Sequence, residues 1–200
     1  MCYFLFELKS HALRFVYRGV RKKVMLSYAA RLVATCLSQW PLEHVDPKDE
    51  VRLPMRVLPM DVDPYFHLNN GRYLTLMDFG RYQYAVRTGA LVPMLRRRFW
   101  PLVGGIAIRY RRSIDLWRHF NLVTRLCAMQ GKWFYFEQRF ESQGSVHAHA
   151  YVRFVFRHNQ RSLSVEEVCP EIGWPLLSDA PPDIVWEQNL SSNIVQTLPS

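Results

Sequence analysis

The stretch MDVDPYFHLNNGRY, at positions 60–73, brings together the side chains of this sequence that are best suited to chemistry. Asp61, Asp63 and His67 carry groups that accept protons or attack an electrophile near neutral pH. Each also has a purely structural use, because an aspartate before a proline caps a turn and a histidine can be a satisfied polar residue. The elements on either side of the stretch must therefore decide what it can do.

The two asparagines that follow, Asn69 and Asn70, are favourable N-cap residues for a helix. The segment GRYLTLMDFGRYQYAVRT then predicts a helix that ends at Gly89. Apolar side chains cover most of its circumference, so we expect other elements to enclose the helix. The polar stretch would thus stand at the start of a buried helix.

Alternating apolar and polar residues predict one strand before this helix and four strands after it. Pro54 restricts the first strand to an edge or a bulged position. Short connections such as QGK and SQGS are typical of antiparallel hairpins. The expected strands cover 51–59, 102–114, 117–130, 132–142 and 146–157. On the last three strands one face carries Phe120, Leu122, Leu126, Phe134, Phe136, Phe140, Ala148, Ala150, Val152, Phe154 and Phe156, and the opposite face includes Arg125, Glu137, Arg139, His147 and Arg153.

Length and composition favour one domain with additions at its ends. The chain has 200 residues, is 49% hydrophobic and carries a formal net charge of +9. Basic residues concentrate in 1–35 and between Arg96 and Arg118, whereas the chain after Arg161 contains acidic residues and no Lys or Arg. Such clusters suit an anionic lipid surface or the phosphates of a ligand. No nucleic-acid motif accompanies them, so we expect no nucleic-acid partner.

Several protein classes are disfavoured by what the sequence lacks. No apolar run reaches about 18 residues, so neither a spanning helix nor a signal peptide is supported. The cysteines Cys2, Cys36, Cys127 and Cys169 show no CxxC or zinc spacing, which favours a reducing, cytoplasmic location. No G-x-S-x-G occurs, so a serine hydrolase is unsupported. We expect neither a metal nor a cofactor.

The order of one strand, a long enclosed helix and four strands resembles the hotdog fold. In this α+β fold a curled antiparallel β-sheet wraps around one long central helix. The stretch DVDPYFHLNNGRYL is similar to the signature of 4-hydroxybenzoyl-CoA-type acyl thioesterases, and HLNNGRYL is similar to the HxNNxxY element of acyl-ACP and acyl-CoA thioesterases. The resemblance spans roughly 50–157 and implies a hotdog domain at 51–160. A basic helical extension and linker at 1–50 would precede it, and an acidic extension at 161–200 would pack on it.

The resemblance implies an acyl thioester hydrolase and assigns roles to residues. Asp63 is implied to activate a water or to attack the carbonyl directly, and the two routes stay open. The resemblance to the acyl-ACP thioesterases implies that His67 takes part in catalysis or in positioning, beside the acid. Tyr65 stands where those thioesterases carry an asparagine. The first-turn amides near Asn70 and Gly71 would polarise the carbonyl. Asn69 and Tyr73 would line the substrate site, and Arg111 and Arg112 would hold the phosphates of the carrier.

Alternatives to this assignment come from the same residues. Asp78 is a second candidate acid, because some hotdog thioesterases carry their carboxylate on the central helix. A hotdog enoyl-CoA hydratase uses D-x-N-P-x-H, which DVDPYFH approaches with Asp63 in place of asparagine and one extra residue before His67. A third alternative is a non-catalytic protein that binds an acyl chain or a membrane.

The resemblance also implies partners. The substrate would be acyl-CoA or acyl-ACP, and the chain would form a homodimer or tetramer with the active site between subunits. The basic segment at 12–36 predicts a helix that either packs on the domain or rests on an anionic membrane. The acyl group and the carrier cannot be read from these residues.

Overall fold

The computed structural model describes residue 31 and residues 43–179. The chain divides into two units, Met1–Leu42 and Glu43–Ser200, and all the strands and helices named below belong to the second. The helix predicted at 12–36 lies outside the described residues, except for Arg31, which is helical. The predicted membrane contact of that segment, and the chain after residue 179, also lie outside them.

Residues 43–179 form one antiparallel sheet that curls around a long helix, which confirms the predicted hotdog fold. The strand order is β1-β3-β4-β5-β2, and β6 pairs with β5. β1 and β2 therefore form the two edges of the main sheet. The elements are β1 (Val51–Arg56), a 3-10 turn (Pro59–Asp61), α1 (Asn70–Arg87), α2 (Leu91–Arg97), β2 (Trp100–Tyr110), β3 (His119–Gln130), β4 (Trp133–Ser142), β5 (Ser145–His158), β6 (Arg161–Ser162) and α3 (Val165–Ile172).

The central helix α1 lies directly against β3 and β4 at Gly80. A Cβ atom at this position would lie 2.6 Å from Thr124 Oγ1 and 2.8 Å from Gln138 Nε2, which is closer than a side chain permits. Gln138 Nε2 donates to Thr124 Oγ1 and to the carbonyl of Met77, both at 3.0 Å. Arg81 donates to Gln138 Oε1 at 2.8 Å, so the buried amide of Gln138 is satisfied at both ends. A glycine and a polar network together hold the helix close to the sheet.

The apolar face predicted for β3, β4 and β5 is buried against α1. All its members are 4% exposed or less. Trp174, just after α3, packs edge-on against Tyr84 and Phe136, with ring centroids 5.6 Å and 6.2 Å apart. Its Nε1 donates to Thr88 Oγ1 at 3.1 Å. The C-terminal helix α3 is thereby attached to the end of the core.

The alternation of residues predicts a polar opposite face of the sheet, but part of that face is buried. Glu137 is only 6% exposed, and its carboxylate accepts from Arg125 Nε at 2.6 Å and contacts His149 Nε2 at 2.7 Å. Burial raises the pKa of Glu137, but the hydrogen bond and charge of Arg125 lower it more, so the pKa lies below its ordinary value. A buried carboxylate is retained here because basic side chains surround it.

The sequence pattern does not predict α2 or α3, and both are short helices that contain a proline. Pro93 lies in the first turn of α2, where its missing N–H costs no hydrogen bond, and Pro170 lies inside α3. Ser164 and Glu167 form a capping box at the start of α3, which offsets the hydrogen bond that Pro170 cannot donate. Within residues 43–179 no helix is long and apolar enough to cross a bilayer.

We expect Gly80→Ala to destabilise the fold by about 1–3 kcal/mol, because the added methyl must displace Thr124, Gln138 or the whole of α1. This loss should outweigh the gain of about 1 kcal/mol in helix propensity that alanine brings. Urea unfolding followed by circular dichroism measures the change. Thr75→Ala, at a half-buried position about 140° around α1 from Gly80, is the control and should be close to neutral. A Gly80→Ala protein as stable as wild type would show that the helix can move away from the sheet at little cost.

Candidate active site

The loop between the 3-10 turn and α1 is attached to the helix by Asp61, which is fully buried. Asp61 Oδ1 accepts from Arg72 Nε at 3.1 Å and from Arg72 Nη2 at 2.9 Å. Its Oδ2 accepts the N–H of Leu58 at 3.1 Å, and its carbonyl accepts the N–H of Asn69 at 2.8 Å. Asp61 therefore joins the beginning of the loop to the first turn of α1, which is a structural role.

Asp63 occupies the same loop but has a different environment. Its Oδ1 accepts the N–H of Tyr65 at 2.9 Å and the N–H of His67 at 3.2 Å. The loop turns tightly at Phe66, whose φ of 61° lies in the left-handed region. Asp63 Oδ2 has no hydrogen-bond partner within residues 43–179. One oxygen thus holds the carboxylate in place, and the other is free to react.

Six of the eight residues predicted for the site line one cavity of about 300 Å³. The structure brings the loop before α1 and the end of β2 together around it, although they are distant in sequence. Asn69 and Gly71 do not line this cavity but form the helix cap beside it. The lining consists of Asp63, His67, Leu68, Asn70, Tyr73, Tyr110, Arg111, Arg112 and Ser113.

The amides at the start of α1 are not equivalent. The N–H of Gly71 donates to Asn69 Oδ1 at 2.9 Å, so the capping interaction already uses it. The first-turn N–H of Asn70 has no acceptor in the described part of the chain. Asn70, rather than Gly71, is therefore the amide available to a ligand oxygen at the positive end of the helix dipole. The absence of a Cβ at Gly71 matters for the cap, because that atom would lie 3.2 Å from Asn69 Oδ1.

The ring of His67 is oriented by Asp115 rather than by Asp63. His67 Nε2 lies 3.6 Å from Asp115 Oδ1, and the two residues also form a β-bridge. Asp115 in turn accepts from Arg118 Nη2 at 3.1 Å. The main chain of His67, and not its ring, bonds to Asp63. The imidazole therefore stands at the cavity as a separately held group.

Two tyrosines, Tyr73 and Tyr110, line the same cavity as Asp63, and the sequence prediction did not include Tyr110. Tyr110 packs edge-on against Tyr73 with ring centroids 5.1 Å apart, and its hydroxyl donates to the carbonyl of Asn70 at 3.1 Å. Burial raises the pKa of both phenols, so both stay neutral in the physiological range. The signal for Tyr110 was its position directly before the predicted arginine pair. The sequence does not reveal that Tyr110 belongs to the site, because Tyr110 meets the start of α1 only in the folded chain.

Arg111 and Arg112 supply positive charge at the rim of the cavity. Their main-chain N–H groups both donate to the carbonyl of His147, at 2.8 Å and 3.1 Å. Arg112 Nη1 contacts Ser145 Oγ at 3.3 Å, and the Arg111 side chain is exposed, with no ion pair to residues 43–179. The backbone is therefore fixed, and the guanidinium groups are available to an anion.

The alternative acid, Asp78, lies at a different cavity. It pairs with Arg81 on the next turn of α1 and lines a second cavity, of about 240 Å³. Asp78 does not line the Asp63 cavity. Among the described residues no three His, Cys, Asp or Glu side chains are grouped as metal ligands would be.

Comparison with known proteins finds one family over most of the described chain. The family model described as the thioesterase-like superfamily matches residues 57–185. The Xenopus laevis protein named Protein THEM6 is 45% identical over 84 residues, which are 42% of this chain and 41% of that protein. The chain thus matches less than half the length of this curated relative.

Solved structures share the fold. The probable thioesterase YbaW from Escherichia coli is 26% identical with a TM-score of 0.56, over 60% of this chain and 94% of YbaW. The hypothetical protein SAV2348 from Staphylococcus aureus, solved in complex with CoA, is 13% identical with a TM-score of 0.56, over 66% of this chain and 90% of SAV2348. At that identity the second comparison shows the fold alone.

We expect Asp61→Asn to cost about 2–3 kcal/mol of stability, because it leaves Arg72 without its charged partner at a buried position. Arg72 is one third exposed, so the cost should stay below that of a fully buried pair. Asp63→Asn is the matched control, because an asparagine keeps the Oδ1 that accepts from Tyr65 and His67. Chemical denaturation of both variants measures the difference. Equal stabilities would show that the two aspartates do not divide their roles as described.

Proposed function

Because the chain belongs to the thioesterase-like superfamily, we propose that it is an acyl-thioester hydrolase that cleaves acyl-CoA or acyl-ACP to a free acid and a thiol. One observation carries the proposal. Asp63, whose Oδ2 has no hydrogen-bond partner within residues 43–179, and Asn70, whose amide has no acceptor there, line the same cavity. A nucleophile or base and an oxyanion donor are the two groups that thioester hydrolysis needs.

The reaction follows from the roles of these groups. The thioester carbonyl oxygen accepts the Asn70 N–H, and the helix dipole stabilises the negative charge that develops on it. Asp63 either takes a proton from an attacking water or attacks the carbonyl carbon itself. The first route forms the acid directly, and the second forms an anhydride that water then cleaves. In both routes the C–S bond breaks and the thiolate leaves, which needs little acid assistance.

The remaining residues of the cavity have supporting roles in this proposal. We assign to His67, which contacts Asp115, the role of positioning the water or of returning a proton to the thiolate. Tyr73 and Tyr110 form an apolar wall beside the carbonyl. The exposed guanidinium groups of Arg111 and Arg112 attract the phosphates of the carrier.

We further propose that the protein is at least a dimer. Among residues 43–179, the edge strand β2 pairs with another strand on one side only, and it carries large exposed apolar side chains. Trp100 is 59% exposed, Leu102 51% and Val103 42%. Such an edge pairs readily with another strand, and pairing with a second copy would cover it.

The two alternative functions are distinguished by their products. A hydratase would consume an enoyl-CoA without releasing thiol, and a binding protein would do neither. Asp63 weighs against the hydratase, because its carboxylate replaces the asparagine of that motif. The free Asp63 oxygen weighs against a binding protein.

We expect Asp63→Asn to lower kcat for acyl-CoA hydrolysis by at least about a hundredfold, because the amide neither takes a proton nor attacks a carbonyl. The rate at which free thiol is released from a panel of acyl-CoAs measures kcat. The fold should persist, since the retained Oδ1 still accepts its two backbone hydrogen bonds. Asp49→Asn, an exposed carboxylate in the turn before β1, is the control and should keep wild-type kcat. A folded Asp63→Asn protein with near-normal kcat would refute the assignment.

Arg111→Ala and Arg112→Ala should each raise KM for acyl-CoA several-fold and leave kcat nearly unchanged, because each removes one charge that attracts phosphate before the reaction. The effect should shrink as salt is added, since salt screens exposed charges. Arg161→Ala removes an exposed arginine that pairs with Glu167 and serves as the control. KM values that stay at the wild-type level in low salt would mean that these arginines form only a solvent-exposed face of the strand.

A further inference from the structure

Strand β5 contains one residue more than its pairing with β4 requires, and that residue is His147. Phe140 of β4 pairs with Ala148 of β5. The next residue of β4, Glu141, pairs with Val146, so His147 has no partner on β4 and forms a β-bulge. Bulges are frequent next to active sites, where they change the direction of a side chain. His147 is only 9% exposed, so the bulge places a buried imidazole beside the end of β2.

His147 holds the three residues that follow β2, Arg111, Arg112 and Ser113, which we call the arginine turn. The main-chain carbonyl of His147 accepts the N–H groups of Arg111 and Arg112, at 2.8 Å and 3.1 Å. The ring Nδ1 of His147 lies 2.8 Å from the carbonyl oxygen of Ser113. Because a carbonyl oxygen can only accept a hydrogen bond, Nδ1 carries the proton and is the donor. The main chain and the side chain of one buried residue thus bind all three members of the turn.

The arginine turn is a segment whose rigidity matters for binding. Its three residues are all exposed, and all three line the Asp63 cavity. Exposed turns are more mobile than strands, and the two guanidinium groups repel each other because they carry the same charge. Ordering such groups when a ligand arrives costs affinity, whereas a turn that is already held avoids that cost. The contacts of His147 therefore prepare the rim of the cavity for an anionic ligand.

The chain after the arginine turn is held independently of the His147 ring. Ile114 is fully buried, and its carbonyl accepts the N–H of Leu68 at 2.8 Å. The N–H of Leu116 donates to the carbonyl of Phe66 at 3.0 Å. These bonds attach the residues after the turn to the loop before α1. Loss of the hydrogen bond from the His147 ring should therefore change the arginine turn and leave that loop in place.

We propose that His147 is a positioning residue for the carrier of the thioester, and that it holds the arginine turn so that the site prefers carriers that bear phosphate. This inference rests on the proposed hydrolase function and concerns how that function recognises its substrate. CoA and the phosphopantetheine arm of an acyl-carrier protein both bear phosphate, so a phosphate ester on the thiol arm is the chemistry that they share. His147 contacts the turn and does not line the cavity, so it acts through Arg111 and Arg112.

The first test removes the hydrogen bond of the ring. His147→Phe keeps an aromatic ring but lacks the donor, and it should raise KM for butyryl-CoA by about three- to tenfold, the scale of one hydrogen bond. The value of kcat, and KM for butyryl-pantetheine, which has no phosphate, should stay at wild-type levels. His147→Asn restores a donor near the position of Nδ1 and should return KM for butyryl-CoA towards the wild-type value. His147→Ala is the second variant in case His147→Phe does not fold.

Salt and a matched variant separate positioning from a general structural role. The wild-type KM for butyryl-CoA should rise with salt, and that rise should be smaller in His147→Phe, since displaced arginines attract phosphate less. His149→Phe removes another imidazole of β5, one that contacts Glu137 and not the turn, and should keep the wild-type KM. A KM that rises equally for butyryl-CoA and butyryl-pantetheine would overturn the positioning role.

A third thioester, butyryl-phosphopantetheine, identifies the phosphate that the arginine turn recognises. A raised KM for this thioester in His147→Phe would assign the turn to the phosphate that CoA and an acyl-carrier protein share. A KM that rises for butyryl-CoA alone would assign the turn to the nucleotide phosphates of CoA. Both results support the inference, and they distinguish the two kinds of carrier.

Binding of CoA and of pantetheine, measured by calorimetry, separates the inference from the function on which it rests. Hydrolysis of acyl-CoA with an unchanged KM in folded His147→Phe and His147→Ala would overturn the inference and leave the hydrolase proposal standing. Absence of thiol release from every thioester would refute the hydrolase. In that case weaker CoA binding by His147→Phe, with pantetheine binding unchanged, would still support the role of His147, and unchanged CoA binding would overturn both. We expect hydrolysis, with a KM that rises only for thioesters that bear phosphate.

Discussion

The close contact of α1 with the sheet at Gly80 is the constraint on which the rest of the structure depends. The helix can lie this near to β3 and β4 only because the position has no side chain, and Gln138 then reaches the carbonyl of Met77 across the contact. Helix and sheet behave as one rigid body at this point, since packed interiors do not yield by a methyl group without cost. The depth at which α1 lies against the sheet follows from that contact.

The loop before α1 shows how neighbouring residues of one type can separate into different roles. Asp61 is buried and uses its oxygens on Arg72 and Leu58, so its carboxylate is fully committed to structure. Asp63, two residues later, uses one oxygen on backbone amides and keeps the other free. A buried ion pair is expensive to break, which makes Asp61 a stable anchor for the loop. The carboxylate that we propose as the reactive group is thereby positioned by a neighbour that has a structural role.

The two cavities differ in chemical character. The Asp63 cavity is polar and has arginines at its rim, and the second cavity is lined mainly by aliphatic and aromatic side chains. Additions to the central helix and main sheet, the short helix α2 and Trp174 after α3, supply much of the apolar lining.

Periodicity and local chemistry in the sequence were sufficient for the order of the main strands, the central helix with a cap at Asn69 or Asn70, and a polar loop that contains Asp63 and His67, and the resemblance of that order and loop to a known family implied the hotdog fold. Such features depend on neighbours within a few residues, so a single stretch reveals them. The separate roles of Asp61 and Asp63, the partnership of His67 with Asp115, and the place of Tyr110 were decided by tertiary structure. So was the burial of Glu137 on a face that alternation marks as polar. In each case the deciding contact joins residues from different elements, and which partner a side chain meets depends on strand register and on the depth at which α1 lies, neither of which a local pattern contains.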